Sequence, residues 1–303
     1  MAKDQPLVSV VMSCFNSEKS VRETIESILA QTYCNFEFII WDDGSTDSTR
    51  AIVESFKDER IRYFYHENTG LGMALRLACA EAKGKYIARM DADDISLTNR
   101  LATEVEFLEK NEKYVLVSSA VYYINEDGII TGRSFPCNND NVLKGMLPIS
   151  SLIVHPMVMM RKSAYEKAGG YIPIRYLEDI LFWNKLAGQG KFYNIPTPLG
   201  KYRMVQNSLG HSRGQYEQLL FVLRKKMLND TAILESDIEL YNNIYLYSKQ
   251  FKQNESAETK FKNGISKEER LFKILRSFLG EHRAEGFISR CKNIYYKGKM
   301  MAI

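Results

Sequence analysis

Tyr86-Ile-Ala-Arg-Met-Asp-Ala-Asp-Asp94 reads as a buried strand, Tyr86 to Met90, that runs into a group of carboxylates. Strand alternation sends Asp91 and Asp93 to the same side as the loop begins, so two acids converge. The same unit, an apolar strand that ends in polar residues and precedes a one-faced helix, recurs toward the N-terminus. Leu7 to Met12 is followed by Val21, Ile25, Ile28 and Leu29 at helical spacing. Phe36 to Trp41 runs into Asp42-Asp-Gly-Ser45, and Thr46-Asp-Ser48 supplies capping residues for a helix to about Phe56. Ile61 to Tyr65 is then a strand and Met73 to Ala82 a helix. Alternation of this kind predicts an α/β fold, a Rossmann-like, mostly parallel mixed sheet with helices on both faces. Ligands of such sheets bind beyond the carboxyl ends of the strands. The polar clusters Ser13–Ser17, Asp42–Asp47, His66–Gly72 and Asp91–Asp94 all fall there.

Downstream, residues 99–109 read as a helix, Tyr114 to Ala120 as a strand and Asn125-Glu-Asp-Gly128 as a hairpin turn. From Leu152 the pattern becomes irregular, with a strand-like run to Met160, a short helix ending at Gly169-Gly170, and Glu178-Asp179 opening an apolar helix. Beyond Gly210 the chain turns helical and charged, with a capping box at Ser266-Lys-Glu-Glu269. These shifts divide it into residues 1–211, with halves 1–120 and 121–211, and a helical basic region, 212–303.

The 303 residues, 45% hydrophobic and 26% charged, have the composition of a globular enzyme. Cys14, Cys34, Cys79, Cys137 and Cys291 are scattered, without metal spacing, which fits reduced thiols and a cytoplasmic setting. No export signal or spanning helix is read. Residues 260–303 hold 11 Lys/Arg against 4 Asp/Glu, whereas the whole chain carries only +4. Basic residues confined to this tail, without a recognised motif, argue against nucleic acid as a partner. Interleaved with apolar groups, they suit peripheral contact with anionic lipid on the inner face of the cytoplasmic membrane; the solvated face of ordinary helices is the other reading.

The carboxylates carry the chemistry. Asp91 and Asp93 are hard oxygen ligands suited to Mn²⁺ or Mg²⁺, and such an ion would bridge a diphosphate. The alternative is a solvated turn with Asp94 as a helix cap. Asp43 can accept from the N3–H of a uracil or thymine ring, with Gly44 allowing the turn; Phe15 can stack on the base. Asp179 is the candidate general base for an acceptor hydroxyl, with Glu178 beside it. Among the histidines, His155 could meet a phosphate or an acceptor hydroxyl, and His211 could approach the metal if the segment after Arg203 folds over the site.

Seven stretches, in order, resemble the family-two inverting glycosyltransferases of the A-type fold. They are Val8–Asn16, Ser27–Tyr33, Asp42–Asp47, Asn68–Leu71, Gly84–Asp94, His155–Arg161 and Tyr176–Asp179. The resemblance implies that Phe15 and Asp43 contact the donor base, and that Asp91 and Asp93 form the DxD pair on ribose, diphosphate and metal. Asp179 would be the catalytic base of a single displacement. Ser13, Asn16 and Gly70, in the loops after the first and third strands, are expected on the donor side as well. Arg76, where relatives commonly have Asn, is expected at a donor phosphate or a nearby carboxylate. Arg203 belongs to a closing segment, Gly200–Ser208, near the acceptor or phosphate.

A nucleotide-diphospho-sugar donor, most often UDP-hexose or UDP-N-acetylhexosamine in this family, and a saccharide acceptor on a polyprenyl lipid follow from the resemblance. So does a role in O-antigen, capsule or other surface polysaccharide synthesis. A nucleotidyltransferase making nucleotide sugars would carry a Gly-rich basic loop where Ser13-Cys-Phe-Asn-Ser17 stands. A non-catalytic sugar-nucleotide-binding protein would not need the full set of Asp43, Asp91, Asp93 and Asp179. If the basic tail docks on membranes, full-length protein sediments with anionic liposomes and a 1–259 form does not; equal sedimentation of both rules that role out.

Overall fold

A computed structural model describes residues 5–147, 151–174 and 177–205. The four strands read first from the sequence are β1 (Val8–Cys14), β2 (Phe36–Asp42), β3 (Ile61–Tyr65) and β4 (Tyr86–Asp91). They run parallel in the order β3-β2-β1-β4. The intervening helices are α1 (Val21–Leu29), α2 (Thr49–Ser55) and α3 (Leu71–Ala80). β1 and β2 are apolar on both faces because both faces are covered, as parallel strands require. Val11, Ile39 and Ile87 share one core with Ala74, Leu75 and Ala78 of α3. Val10, Phe38, Ile40 and Ala88 share the other with Ile25 and Ile28 of α1. The register makes the strands end level: Ser13 lies opposite both Trp41 and Asp91, and Cys14 opposite Asp42. This is what brings the polar loops of distant sequence to one edge.

Past β4 the sheet changes direction. It continues through β8 (Met159–Arg161), β6 (Tyr114–Ile124), β9 (Lys191–Arg203) and β5 (Ile95–Ser96), with β7 (Ile130–Arg133) paired to β6. β8 is antiparallel to both β4 and β6, and β6 and β9 are parallel, so the nine strands among the described residues form a mixed sheet. α4 (Arg100–Lys110) packs against β6 with Leu101, Val105 and Leu108 in the second core. α7 (Glu178–Leu186) covers the first with Leu181, Phe182 and Trp183, and α5 (Asp140–Met146) and α6 (Lys162–Lys167) complete that side. No helix among the described residues is long and apolar enough to cross a membrane.

Several expectations are corrected. The run from Leu152 to Met160 is not one strand, because Pro156 sits in a 3-10 turn, His155–Met157, and leaves only Met159–Arg161 extended. β6 extends to Ile124, four residues past the expected end. The 13-residue β9, α5, β5 and β7 had no clear periodic signal. In β9 the prolines at 196 and 198 argue against a strand, since proline cannot donate to a ladder; the pairing with β6 slips around Ser119–Val121 to accommodate them. α2 starts under Asp47, whose Oδ1 accepts from Thr49 N at 2.9 Å. The boundary near 212, the helical region beyond it and its capping box lie outside the described residues.

Gly72 shows how tightly α3 is seated. A Cβ there would stand 2.7 Å from the carbonyl oxygens of Ile172 and Ile174. Gly→Ala on an open helix face gains about 1 kcal/mol, but overpacking against backbone costs roughly 1–3 kcal/mol. Gly72→Ala therefore lowers stability, read as a lower urea midpoint with an unchanged m-value.

Candidate active site

The first loop at the strand-end edge is fastened by Asn16, which adopts φ 49. Its Oδ1 accepts from Thr46 N at 2.8 Å, and its own N–H donates to Ser45 Oγ at 2.9 Å. Asn16 thus ties the β1 loop to the β2 loop, a structural use beside its expected donor contact. Phe15 is left 49% exposed, a flat apolar ring facing water at the mouth of the edge. Ser13 lies partly exposed, level with Asp91.

Asp42 and Asp43 divide the work. Asp42 is buried, accepting from Ser45 N at 2.8 Å and from the Tyr63 hydroxyl at 2.7 Å. Asp43 points the other way and receives Thr69 N (2.8 Å), Thr69 Oγ1 (2.9 Å) and Gly70 N (2.8 Å). Gly44, at φ 84, makes the intervening turn. Asp43 is only 3% exposed. A base would therefore have to meet lone pairs that the Thr69–Gly70 turn leaves over, and Gly70 enters the site through its N–H. Arg76 is not at a carboxylate: its Nη1 donates to Gly169 O at 3.0 Å and Tyr171 O at 2.8 Å, tying α3 to the turn after α6.

At the end of β4, oxygens of Asp91, Asp93 and Asp94 lie within 4.8 Å of one another. Burial, and then repulsion by Asp91, pushes the Asp93 carboxyl up to about 6. Burial together with both neighbours raises Asp94 well above the usual carboxylate range. Asp94 Oδ1 accepts from Arg203 N at 2.8 Å, while its Oδ2 is buried without a partner among the described residues. Three crowded hard oxygen donors, one of them unsatisfied, fit a divalent cation. Asp91, Asp93 and Asp94 would hold it.

Two arginines answer the charge. Arg89, buried in β4, pairs through Nη2 with Asp91. Arg203, expected near the acceptor or phosphate, lies against the acidic turn and clamps it. Its Nε donates to Asp93 O at 2.9 Å, its Nη1 to Glu126 O at 2.9 Å, and its Nη2 pairs with Glu23. Tyr202 stands close enough for burial and the three acids to push its phenol up.

Opposite lies a wall of aromatic side chains. His155 Nε2 is 2.8 Å from the Tyr171 hydroxyl, and the imidazole meets the Trp183 ring edge-on at 5.6 Å. Burial and the Arg89 charge drive the His155 pKa well below its ordinary value, so the ring is neutral and structural. Asp179 sits in the first turn of α7, where its Oδ1 accepts from Ile180 N at 2.7 Å; Glu178 beside it is buried. Burial pushes the Tyr171 phenol well above its ordinary value, with smaller contributions from Cys79, Tyr165 and Asp179 and an opposing one from Arg89. His211 lies outside the described residues.

The family model described as Glycosyl transferase family 2 matches residues 9–169, more than half of the chain. The chain belongs to glycosyl transferase family 2. As a family 2 enzyme it is a glycosyltransferase, and relatives agree. It is 32% identical over 185 residues to the E. coli protein named UDP-Glc:alpha-D-GlcNAc-diphosphoundecaprenol beta-1,3-glucosyltransferase WfaP, covering 61% of this chain and 71% of that one. Among solved structures, S. aureus TarS 1-349 in complex with UDP-GlcNAc superposes with a TM-score of 0.62 at 18% identity, over 89% of this chain and 80% of that chain. The mannosyltransferase PcManGT from Pyrobaculum calidifontis, in complex with GDP-Man and Mn2+, gives 0.58 at 17% identity, over 96% and 80%.

Sequence reasoning missed Arg89, Tyr171, Tyr202 and the Thr69 contact to Asp43. Arg89 left a readable signal, a charge in the middle of an apolar strand. The others left none, because their neighbours are far away in sequence. Since ligation needs the ionised carboxylates, and Asp93 titrates near 6 in the metal-free protein, Mn²⁺ competes with a proton. The rise in melting temperature on adding Mn²⁺ therefore shrinks as the pH is lowered from 7.5 to 5.

Proposed function

We propose that this family 2 enzyme moves a sugar, with inversion, from a nucleotide-diphospho-sugar to a hydroxyl of a lipid-linked saccharide during bacterial surface-polysaccharide synthesis. The observation that carries the reading is the gathering of Asp91, Asp93 and Asp94 at the strand-end edge that also holds Phe15 and Asp43. UDP-hexose or UDP-N-acetylhexosamine is the proposed donor, supported by the UDP-sugars in the names of WfaP and TarS 1-349. The WfaP name also supports a diphosphoundecaprenol-linked acceptor.

The roles follow from the chemistry of each group. Phe15 offers a ring face to the base, and Asp43 an acceptor to its N3–H. Asp91 and Asp93 face the ribose and diphosphate. A bound Mn²⁺ or Mg²⁺ would neutralise the charge that develops on the departing diphosphate. Asp179 takes the proton of the acceptor hydroxyl, whose oxygen attacks the anomeric carbon from the face opposite the leaving group. A carboxylate in the first turn of a helix is favoured in its ionised form, which suits a base. With the proton taken by Asp179 and the electron pair leaving on the nucleotide diphosphate, no covalent enzyme intermediate is required.

The test is release of nucleotide diphosphate from a panel of nucleotide sugars, with Mn²⁺ and an undecaprenyl-diphosphate saccharide. Wild type releases one nucleotide in a metal-dependent manner, and NMR of the product gives the inverted anomer. Asp179→Ala lowers kcat by about 10²–10⁴-fold while nucleotide binding persists, whereas Asp93→Ala loses Mn²⁺-dependent binding. A retained anomer, or full activity in Asp179→Ala, overturns the mechanism.

A further inference from the structure

We propose that Arg89 is a positioning residue, a resident cation that fixes Asp91 and holds the acidic cluster together before a divalent ion enters. The proposal rests on the metal-assisted reading of that cluster. Arg89 occupies the middle of a central strand, level with Val11 of β1, and its N–H donates to Val158 O at 2.8 Å. It is 2% exposed. Alternation places it on the face of Ile87 and Asp91, above the core that contains Tyr171 and Trp183.

Stability does not account for a guanidinium in this place. Removing it from water is costly, and buried ion pairs are often replaced by apolar side chains at no loss. Nor does Asp91 need Arg89 in order to be solvated, because its side chain is 30% exposed. The guanidinium is also poorly served by its own surroundings: Nη2 meets Asp91, while Nε and Nη1 are buried without partners among the described residues. Its charge is therefore little spent on local acceptors. It acts on Asp91 directly, and the carboxylate oxygens of Asp93 and Asp94 lie within 4.8 Å of that of Asp91.

Arg203 is a different kind of cation. Its guanidinium is shared among the carbonyls of Asp93, Asn125 and Glu126 and the carboxylate of Glu23, so it holds the backbone of the turn. Arg203 shapes the turn, and Arg89 offsets the carboxylates within it. By taking one oxygen of Asp91, Arg89 also sets the direction in which the other can point. This arrangement makes the cluster ready for an ion without one, at the expense of some ion affinity.

Free Mn²⁺ binding, followed by electron paramagnetic resonance, and melting without metal test this in wild type, Arg89→Met and Arg89→Lys. Arg89→Met should melt lower without metal, bind Mn²⁺ several-fold tighter because no guanidinium opposes the ion, and recover its melting temperature when Mn²⁺ is added. Arg89→Lys should stay near wild type in both measurements. In the Asp91→Asn background, the loss of melting temperature caused by Arg89→Met should fall by at least half. Unchanged or weaker Mn²⁺ binding by Arg89→Met, or an equal loss in the Asp91→Asn background, overturns the proposal. A wild type that binds no Mn²⁺ overturns the metal reading instead, and the metal-free double-substitution cycle still decides whether Arg89 acts through Asp91.

Discussion

Three carboxylates packed within 4.8 Å of one another repel, and the strand-end edge is arranged around that repulsion. Burial first, and then the neighbouring like charges, raise the proton affinity of Asp93 and Asp94. The chain relieves this with side chains from opposite ends of the domain. Arg89 approaches from within the strand itself, and the N–H and guanidinium of Arg203 from the far end of β9. Glu23 of α1 then receives the outer edge of Arg203, so the first helix also contributes to the balance.

The parallel half was legible because each element there obeys one local rule. Val8 to Cys14 and Phe36 to Asp42 are short apolar runs buried on both sides, and Val21, Ile25 and Ile28 repeat at helical spacing on the buried face of α1. The strand-end acids were legible for the same reason, since a strand with a known end puts its next residues at a known edge. β9 was illegible because its prolines contradict strand propensity and only its long partner β6 overrides them. The contact between His155 and the Tyr171 hydroxyl was illegible because the two lie in separate irregular segments. Arg76 suggested a donor phosphate or a nearby carboxylate, and its bonds to the carbonyls of a turn almost a hundred residues away in sequence had no local signal.

Asp43 marks the limit of such reading. Its place at the end of β2 follows from the strand, but the three donors around it come from the Thr69–Gly70 turn. That turn also opens α3, whose early Gly72 fits against the 172–174 backbone. Asp43 is thereby connected, through one helix, to the segment that leads toward Asp179. A substitution in α3 can therefore disturb the surroundings of Asp43 and the 172–174 backbone together.

The pairing of β5 with β9 bears on how the protein is made. Residues 95–96 follow the acidic turn at once, yet their partners, Gly200 and Lys201, and the Arg203 that clamps Asp94 emerge from the ribosome more than a hundred residues later. Contacts of such long sequence separation form late in folding, and chains fold from the N-terminus while still being synthesised. The parallel strands can therefore assemble on the growing chain while the carboxylates remain loose. The acidic turn is held in place only once the last described strand has paired, so a shorter nascent chain lacks the clamp that Arg203 puts on Asp93 and Asp94.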